Sequence, residues 1–202
     1  FFAPGICALY DVLSKEDKHE IYVVAPEGQR SATGRSITIY QPLFVTPRKL
    51  ARSSDFGMAV NGTPTDCVKL AVQGNIVPDN PDLIISGIND GPNLGTDIFY
   101  SGTVAAAMEG VLLGIPSIAV SLASYDYTDY KPAAYFIKKF VESEKDLLKS
   151  SEGLFNINVP GTEQENWTGV QLTKLGKSVY HNTFESRKSP HGREYYWIIG
   201  DL

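Results

Sequence analysis

The sequence predicts a single α/β domain on a mostly parallel sheet, and three observations carry that expectation. The stretch from Pro81 to Ser121 reads as strand, long loop, helix and strand, an order that implies a parallel crossover. Other short apolar runs alternate with segments of helical periodicity. A length of 202 residues suits one domain and is enough to bury a sizeable core.

Taken in order, Pro4 to Leu13 places Ile6, Leu9, Tyr10 and Leu13 on one helical face, and the charged turn Ser14 to Glu20 ends it. Ile21 to Ala25 is the first strand. Pro26 then opens the loop EGQRSATGRS, ahead of an alternating strand from Ser36 to Tyr40. Phe44 to Val60 gives no firm period and admits a projecting hairpin or short strands. Thr63 is an N-cap candidate, Pro64 suits the first helical position and Asp66 stands at the capping-box place, so a helix runs to about Gln73. Leu83 to Ser86 is a buried strand that stops at Gly87. Ser101 caps a helix over Thr103 to Leu113, which Gly114 and Pro116 terminate, and Ile118 to Ser121 is the next strand. Tyr130 to Leu148 has helical spacing through Ala134, Ile137, Phe140 and Val141 and should cover one sheet face. Phe155 to Val159 is a strand ending at Pro160, Gly169 to Leu172 is a weaker one, and Glu194 to Gly200 is an aromatic one. Between the last two, Lys174 to Arg193 reads as a solvated arm, with a substrate lip or a subunit contact as the alternatives.

Composition narrows the function. With 43% hydrophobic and 20% charged residues the chain is an ordinary soluble globular one. A net charge of -5 gives no electrostatic footprint for a polynucleotide, whereas a small phosphorylated substrate needs only local positive charge. Cys7 and Cys67 sit in apolar contexts, which implies no disulfide framework and fits a reducing, cytoplasmic setting. Gly110 to Ala123 is too short and too interrupted to span a bilayer, and nothing resembles a signal peptide, so no membrane partner is expected. The opening FFAPGICALYDVL lacks an initiator Met and begins with a helix, as if the chain starts inside a domain.

The loop after Gly87 leaves the carboxyl end of a strand, where open α/β sheets place ligands. Asn89 and Asn93 offer amide oxygens and NH2 groups, and Gly91 and Gly95 let a backbone approach closely. Ser101, Gly102 and Thr103 open a helix with N–H groups and hydroxyls that favour an anion, phosphate above all. The plainer reading makes the glycines turn residues and Ser101 only a cap. Ser31, in a loop that also leaves a strand end, reaches the same ligand or is merely a turn residue. Asp66 is read as a helix-start carboxylate in preference to a catalytic one. There is no G-x-S-x-G elbow, Walker A or G-x-G-x-x-G, and no Cys has the Arg spacing of a thiolate phosphatase. His19, His181 and His191 are too scattered for a zinc site. Oxygen donors remain: the Ser31 hydroxyl and the Asn89 carboxamide suit Mg2+ or Mn2+, but two neutral ligands hold a cation weakly and carboxylates are needed from elsewhere.

The segments VVAPEGQRSATGRSIT, NGTPTDCVKLA, PDLIISGINDGPNLGTDIFYSGTVAAAMEGVLLGIPSIAVS, NINVP and YYWIIGD, in this order and over nearly the whole chain, closely resemble the SurE survival-protein family of nucleotidases. The resemblance implies a Rossmann-like three-layer α/β/α sandwich over residues 1–202, with a C-terminal hairpin or arm from about residue 174. It implies divalent-metal-dependent removal of phosphate from nucleoside 5′- and 3′-monophosphates, short polyphosphate in some members, and homodimers or homotetramers. Matched residue by residue, Ser31 and Asn89 look like metal ligands, and Asn93, Ser101, Gly102 and Thr103 like the phosphate-binding set. The family begins with a strand ending in Asn-Asp-Asp-Gly, directly before the position of Phe1. That segment is absent from this chain, and its two aspartates are the family's metal-binding and catalytic carboxylates. The chain also stops short of the family's usual final segment. The rival reading is a nucleotide-binding regulatory module that uses the same loops without turnover.

Overall fold

Strand β5 (Ser117–Ala123) alternates branched with small side chains, and both of its faces are covered. On one face Ile118, Val120 and Leu122 pack with Ala8, Leu9 and Val12 of helix α1 (Pro4–Leu13) and with Ala133, Ala134 and Ile137 of helix α4 (Lys131–Ser143). On the other, Ala119 meets Val104 and Ala107 of helix α3 (Gly102–Leu112). β5 pairs in parallel with β4 (Ile84–Asp90) on one side and β6 (Leu154–Pro160) on the other. Helix, sheet and helix therefore form three layers around this strand. The computed structural model describes residues 1–16, 18–50, 55–179 and 183–199.

A second sheet has the order β1-β3-β2. β1 (Val24–Pro26) runs parallel to β3 (Phe56–Val60), and β2 (Val45–Lys49) closes the other side of β3 as an antiparallel hairpin partner. Helix α2 (Pro64–Val72) lies against β1 and α3. Phe1, Tyr10, Ala25, Leu50 and Ala59 form a smaller core that ties α1 to this sheet. Between the two sheets runs a cleft of about 800 Å³, with Ile21, Val23 and Ala25 on one wall and Leu83, Ile85 and Gly87 on the other. Helix α5 (Lys145–Ser150) precedes β6, and β7 (Thr183–Lys188) and β8 (Glu194–Ile199) form an antiparallel two-stranded arm.

The parallel crossover β4–α3–β5, the α1 helix and the α2 helix with its complete capping box stand as the sequence predicts. Other elements differ. The first strand is shorter than Ile21 to Ala25, because its ladder has a single partner, β3, and starts at Val24 opposite Met58. Ser36 to Tyr40 forms no strand; Thr38 gives its N–H to the Asp66 carboxylate (2.9 Å) instead of a ladder, and Ile37, Ile39 and Tyr40 are exposed. β4 does not stop at Gly87. Its register shifts between Ser86 and Asn89 and resumes to Asp90, since Gly87 adopts φ 132° and a Cβ there would lie 2.4 Å from the Val120 carbonyl oxygen. The long helix from Tyr130 breaks at Glu144 (φ -110°, ψ 32°), which lets Leu148 join the main core from α5. Gly169 to Leu172 pairs with no strand among the described residues, and both Val170 and Leu172 are exposed. The C-terminal stretch implied to be a hairpin or arm carries the β7–β8 hairpin, although the residue pattern from Lys174 to Arg193 singled out no strand there, and His181 and Gly200 lie outside the described residues.

Ile118 is fully buried at the centre of this arrangement, whereas Leu112 at the end of α3 is exposed. Ile118→Ala should lower the unfolding free energy by roughly 2–5 kcal/mol. Leu112→Ala should stay within about 0.5 kcal/mol. Denaturant midpoints measure both, and equal losses would contradict the assignment of β5 as the central strand.

Candidate functional site

The carboxyl end of β4 delivers Asn89 in a fixed pose. Its Nδ2 donates to the carbonyls of Asp90 (3.0 Å) and Gly91 (2.9 Å), and its Oδ1 accepts from Thr103 Oγ1 (3.3 Å). With the NH2 group committed to the backbone, Oδ1 keeps a second lone pair for another partner. The chain then dips inward. Asn93 is buried, its Nδ2 donates to Ser121 Oγ (2.7 Å), and its own N–H donates to Asn158 Oδ1 (2.8 Å). Its carbonyl accepts from Asn156 Nδ2 (2.9 Å) and Asn158 Nδ2 (3.1 Å). Asn93 thus anchors the loop from beneath, across β5 and β6.

After a 3-10 turn at Gly95–Phe99 the chain enters α3 through Ser101, whose Oγ accepts the Val104 N–H (3.2 Å). The hydroxyl hydrogen of Ser101 remains available to donate. The first intrahelical bond runs from the Ala105 N–H to the Ser101 carbonyl (3.0 Å), so the Gly102 and Thr103 amides lie ahead of the helical ladder. The loop bearing Ser31 crosses this same turn: a Cβ on Gly102 would lie 3.1 Å from Pro64 Cγ, 3.2 Å from the Arg30 carbonyl oxygen and 3.4 Å from Thr33 Oγ1. Gly34 N–H donates to the Tyr100 carbonyl (3.0 Å), and Arg30 Nη2 to the Asn61 carbonyl (3.1 Å). Ser31 itself is exposed and accepts from Gln29 Nε2 (3.1 Å). Asn89, Ser101, Gly102, Thr103 and the Ser31 loop therefore converge on one helix start, with Asn93 buried in the layer below.

The family model described as survival protein SurE matches residues 1–182. The chain belongs to the SurE family. A curated relative from Desulfitobacterium hafniense, 5′-nucleotidase SurE, is 56% identical over 202 residues, covering 100% of this chain and 77% of the relative. The protein of the same name from Heliobacterium modesticaldum is 48% identical over 200 residues, covering 99% and 72%. The crystal structure of the SurE protein from Aquifex aeolicus superposes with a TM-score of 0.77 at 37% identity, covering 99% of this chain and 78% of that one.

Within this SurE chain the groups set aside on sequence grounds have structural duties. Asp66 is buried and completes the α2 capping box: its carboxylate accepts the Thr63 N–H (2.9 Å), and Thr63 Oγ1 accepts the Asp66 N–H (3.1 Å). It also accepts both the N–H and the hydroxyl of Thr38 (2.9 and 2.6 Å). Burial pushes this carboxyl up, but the hydrogen bonds from Thr38 and Thr63 outweigh burial and hold it below its ordinary value. Cys67 is buried beside it, and burial pushes its thiol up to about 12. Among the described residues no group of three or more His, Cys, Asp or Glu side chains stands together as a metal site. Ser31 Oγ and Asn89 Oδ1 are hard, neutral oxygen donors of the type Mg2+ or Mn2+ takes, and the Asn89 side chain is fixed by its hydrogen bonds.

Sequence reasoning overlooked Asn156 and Asn158. The signal was present, because polar Asn alternates with Ile157 and Val159 in a strand whose partner β5 is buried on both faces. The raised Cys67 thiol gives a direct test. Titration with a chromogenic thiol reagent near pH 8, far below its pKa, should leave Cys67 unmodified in the folded protein and count it only after denaturation. Rapid native labelling of Cys67, mapped by mass spectrometry, would show a reactive thiolate and reopen a cysteine nucleophile.

Proposed function

We propose that this protein is a divalent-metal-dependent phosphomonoesterase that hydrolyses nucleoside 5′- and 3′-monophosphates to nucleoside and phosphate, with short polyphosphate as a further substrate. The observation that carries the reading is the convergence of Asn89 and the Ser31 loop on the first turn of α3. The relatives' shared name, 5′-nucleotidase SurE, supports the nucleotidase class.

In this reading Ser101 Oγ and the Gly102 and Thr103 amides bind the phosphate oxygens at the positive end of α3, which orients the ester for in-line displacement and meets the charge that develops. Ser31 Oγ and Asn89 Oδ1 hold the cation, and Thr103 Oγ1 links the two halves through its bond to Asn89. When bound, Mg2+ or Mn2+ polarises a phosphoryl oxygen. Two neutral ligands are too few for such a cation, so the reading calls for the paired carboxylates that the resemblance puts ahead of Phe1. The cleft between β1 and β4 offers a strand edge on each wall and room for the strand that would carry them. We place the protein in the cytoplasm, on two cysteines in apolar stretches of sequence, both of them free thiols and Cys67 buried. The arm is read as a self-association surface, because Phe184, Tyr196, Trp197 and Ile198 are all exposed on its two strands.

Phosphate release from AMP or GMP by the full-length protein, activated by Mg2+ or Mn2+ and abolished by chelation, is the expected result. Tight nucleotide binding without release would favour the regulatory module instead. Asn89→Ala should raise the metal concentration needed for activity, with partial rescue at saturating metal. Ser101→Ala should leave metal dependence unchanged, weaken inhibition by inorganic phosphate and cost about 1 kcal/mol of stability through the lost cap. Identical defects in both titrations would dissolve the division into metal and phosphate halves. Light scattering at micromolar concentration should give at least twice the chain mass, and a monomer alone would remove the arm's assigned role.

A further inference from the structure

Ser31 is the weakest-held member of the proposed site. Its side chain is exposed, its hydrogen bond is to a neighbour two residues away, and its segment contributes to no ladder between Pro26 and Val45. Two residues of the segment, Ala32 (φ 52°) and Gly34 (φ 55°), take left-handed conformations, which for Ala32 carries a steric cost. Such a loop keeps one shape only if its surroundings impose it.

The far end of the loop is imposed by the start of α2. Thr38 gives both its N–H and its hydroxyl to the Asp66 carboxylate (2.9 and 2.6 Å), and Thr63 Oγ1 donates to the Ser36 carbonyl (2.8 Å). A capping box needs only the bond from the Thr63 N–H to Asp66 (2.9 Å) and its reciprocal. The two bonds from Thr38 are therefore surplus to the helix, and they come from donors twenty-eight positions back in the chain. The Thr38 N–H, the Thr38 hydroxyl and the Thr63 N–H all donate to the carboxylate, so an acceptor-only side chain suits the place and an amide would set its own N–H against one of them. The same helix start touches the cradle directly, since Pro64 Cγ lies 3.1 Å from where a Gly102 Cβ would stand.

We propose that Asp66 is a positioning residue of the site, holding the Ser31 loop across the first turn of α3 through Thr38 and Thr63. The proposal rests on the reading of Ser31 as a metal ligand. It assigns Asp66 no contact with substrate or metal; Asp66 acts through the loop.

The test uses the full-length protein and Thr38→Val, which keeps the side-chain shape, removes the hydroxyl bond and leaves the capping box intact. Mn2+ binding by calorimetry and metal activation with AMP should both shift to higher concentration by about fivefold, the scale of one lost hydrogen bond. Activity at saturating metal and inhibition by inorganic phosphate should stay near wild type. Tryptic cleavage after Arg30 and Arg35 should accelerate, and Thr38→Ser, which restores the hydroxyl, should reverse all of these changes. A double variant with Ser31→Ala should bind Mn2+ no more weakly than Ser31→Ala alone, because the effect runs through Ser31. Asp66→Asn should show the larger shift with added loss of thermal stability. Coincident Mn2+ curves for wild type and Thr38→Val, or multiplying defects in the double variant, would overturn the proposal. If the wild-type protein released no phosphate, the nucleotidase reading would fail, while Mn2+ calorimetry and tryptic cleavage would still decide whether the clamp holds the loop.

Discussion

The first turn of α3 presents amides that no carbonyl of the helix itself can reach, and much of the structure is arranged around that deficit. The helix is brought to its place by packing rather than by its cap. Val104 and Ala107 meet Ala119 of the central strand, and Ala105 and Ala106 are buried beside them, so small side chains let the helix axis approach the sheet closely. A single cap is worth about 1 kcal/mol, whereas burying these apolar groups together is worth several times that. Packing therefore fixes where the helix begins, and Ser101 satisfies one amide, that of Val104, leaving those of Gly102 and Thr103 facing the loops. Gly102 is glycine for a spatial reason. Two segments, the start of α2 and the Ser31 loop, meet within 3.4 Å of the Cβ it lacks.

Polar side chains beneath and behind this turn hold what packing cannot. Asn156 and Asn158 of β6 and Ser121 of β5 supply the hydrogen bonds of the buried Asn93, whose side-chain amide would cost on the order of 1–3 kcal/mol if left unpaired. On the back of α3 the buried Glu109 carboxylate pairs with Lys69 of α2 (3.0 Å) and with Arg35 of the Ser31 loop (3.8 Å). Lys69 and Arg35 are themselves well exposed, so the pairs add little net stability. Their geometric effect is larger: without partners the Glu109 carboxylate would be a buried, uncompensated charge, so α2, α3 and the end of the loop are kept in register.

What the sequence revealed follows the range of the interaction concerned. The α2 capping box and the Ser101 cap are each written in a few consecutive residues and the β4–α3–β5 crossover in one unbroken stretch from Ile84 to Ala123, and each stands in the structure where it was expected. Gly87 misled because glycine signals a change of backbone course without saying whether the ladder ends or bends. Ser36 to Tyr40 misled because alternation marks a strand only if a partner strand is near, and here the Thr38 amide has a carboxylate instead. The family resemblance implied a hairpin or arm here, but the residue pattern alone hid β7, since a two-stranded arm with exposed strands carries no burial pattern to read. Thr38 to Asp66 and Asn93 to Asn158 join residues far apart in sequence, and nothing in either neighbourhood announces the other.

The same distinction divides the site itself. The proposed phosphate half draws on Ser101, Gly102 and Thr103, consecutive residues whose geometry is settled as soon as α3 forms, so it would be preorganised at no further conformational cost. The proposed metal half draws on Ser31 and Asn89, which are linked through other contacts: Asn89 through its hydrogen bond from Thr103, Ser31 through a loop tied down at Asn61, Tyr100 and Asp66. Neutral donors contribute little charge, so their value to a cation lies in being held at the right separation, and any slack in the loop is felt there before it is felt at the phosphate cradle. A capping box that also grips the loop solves this with residues the helix already requires. The start of α2 thereby sets the shape of a site whose proposed metal and phosphate donors all lie on other segments.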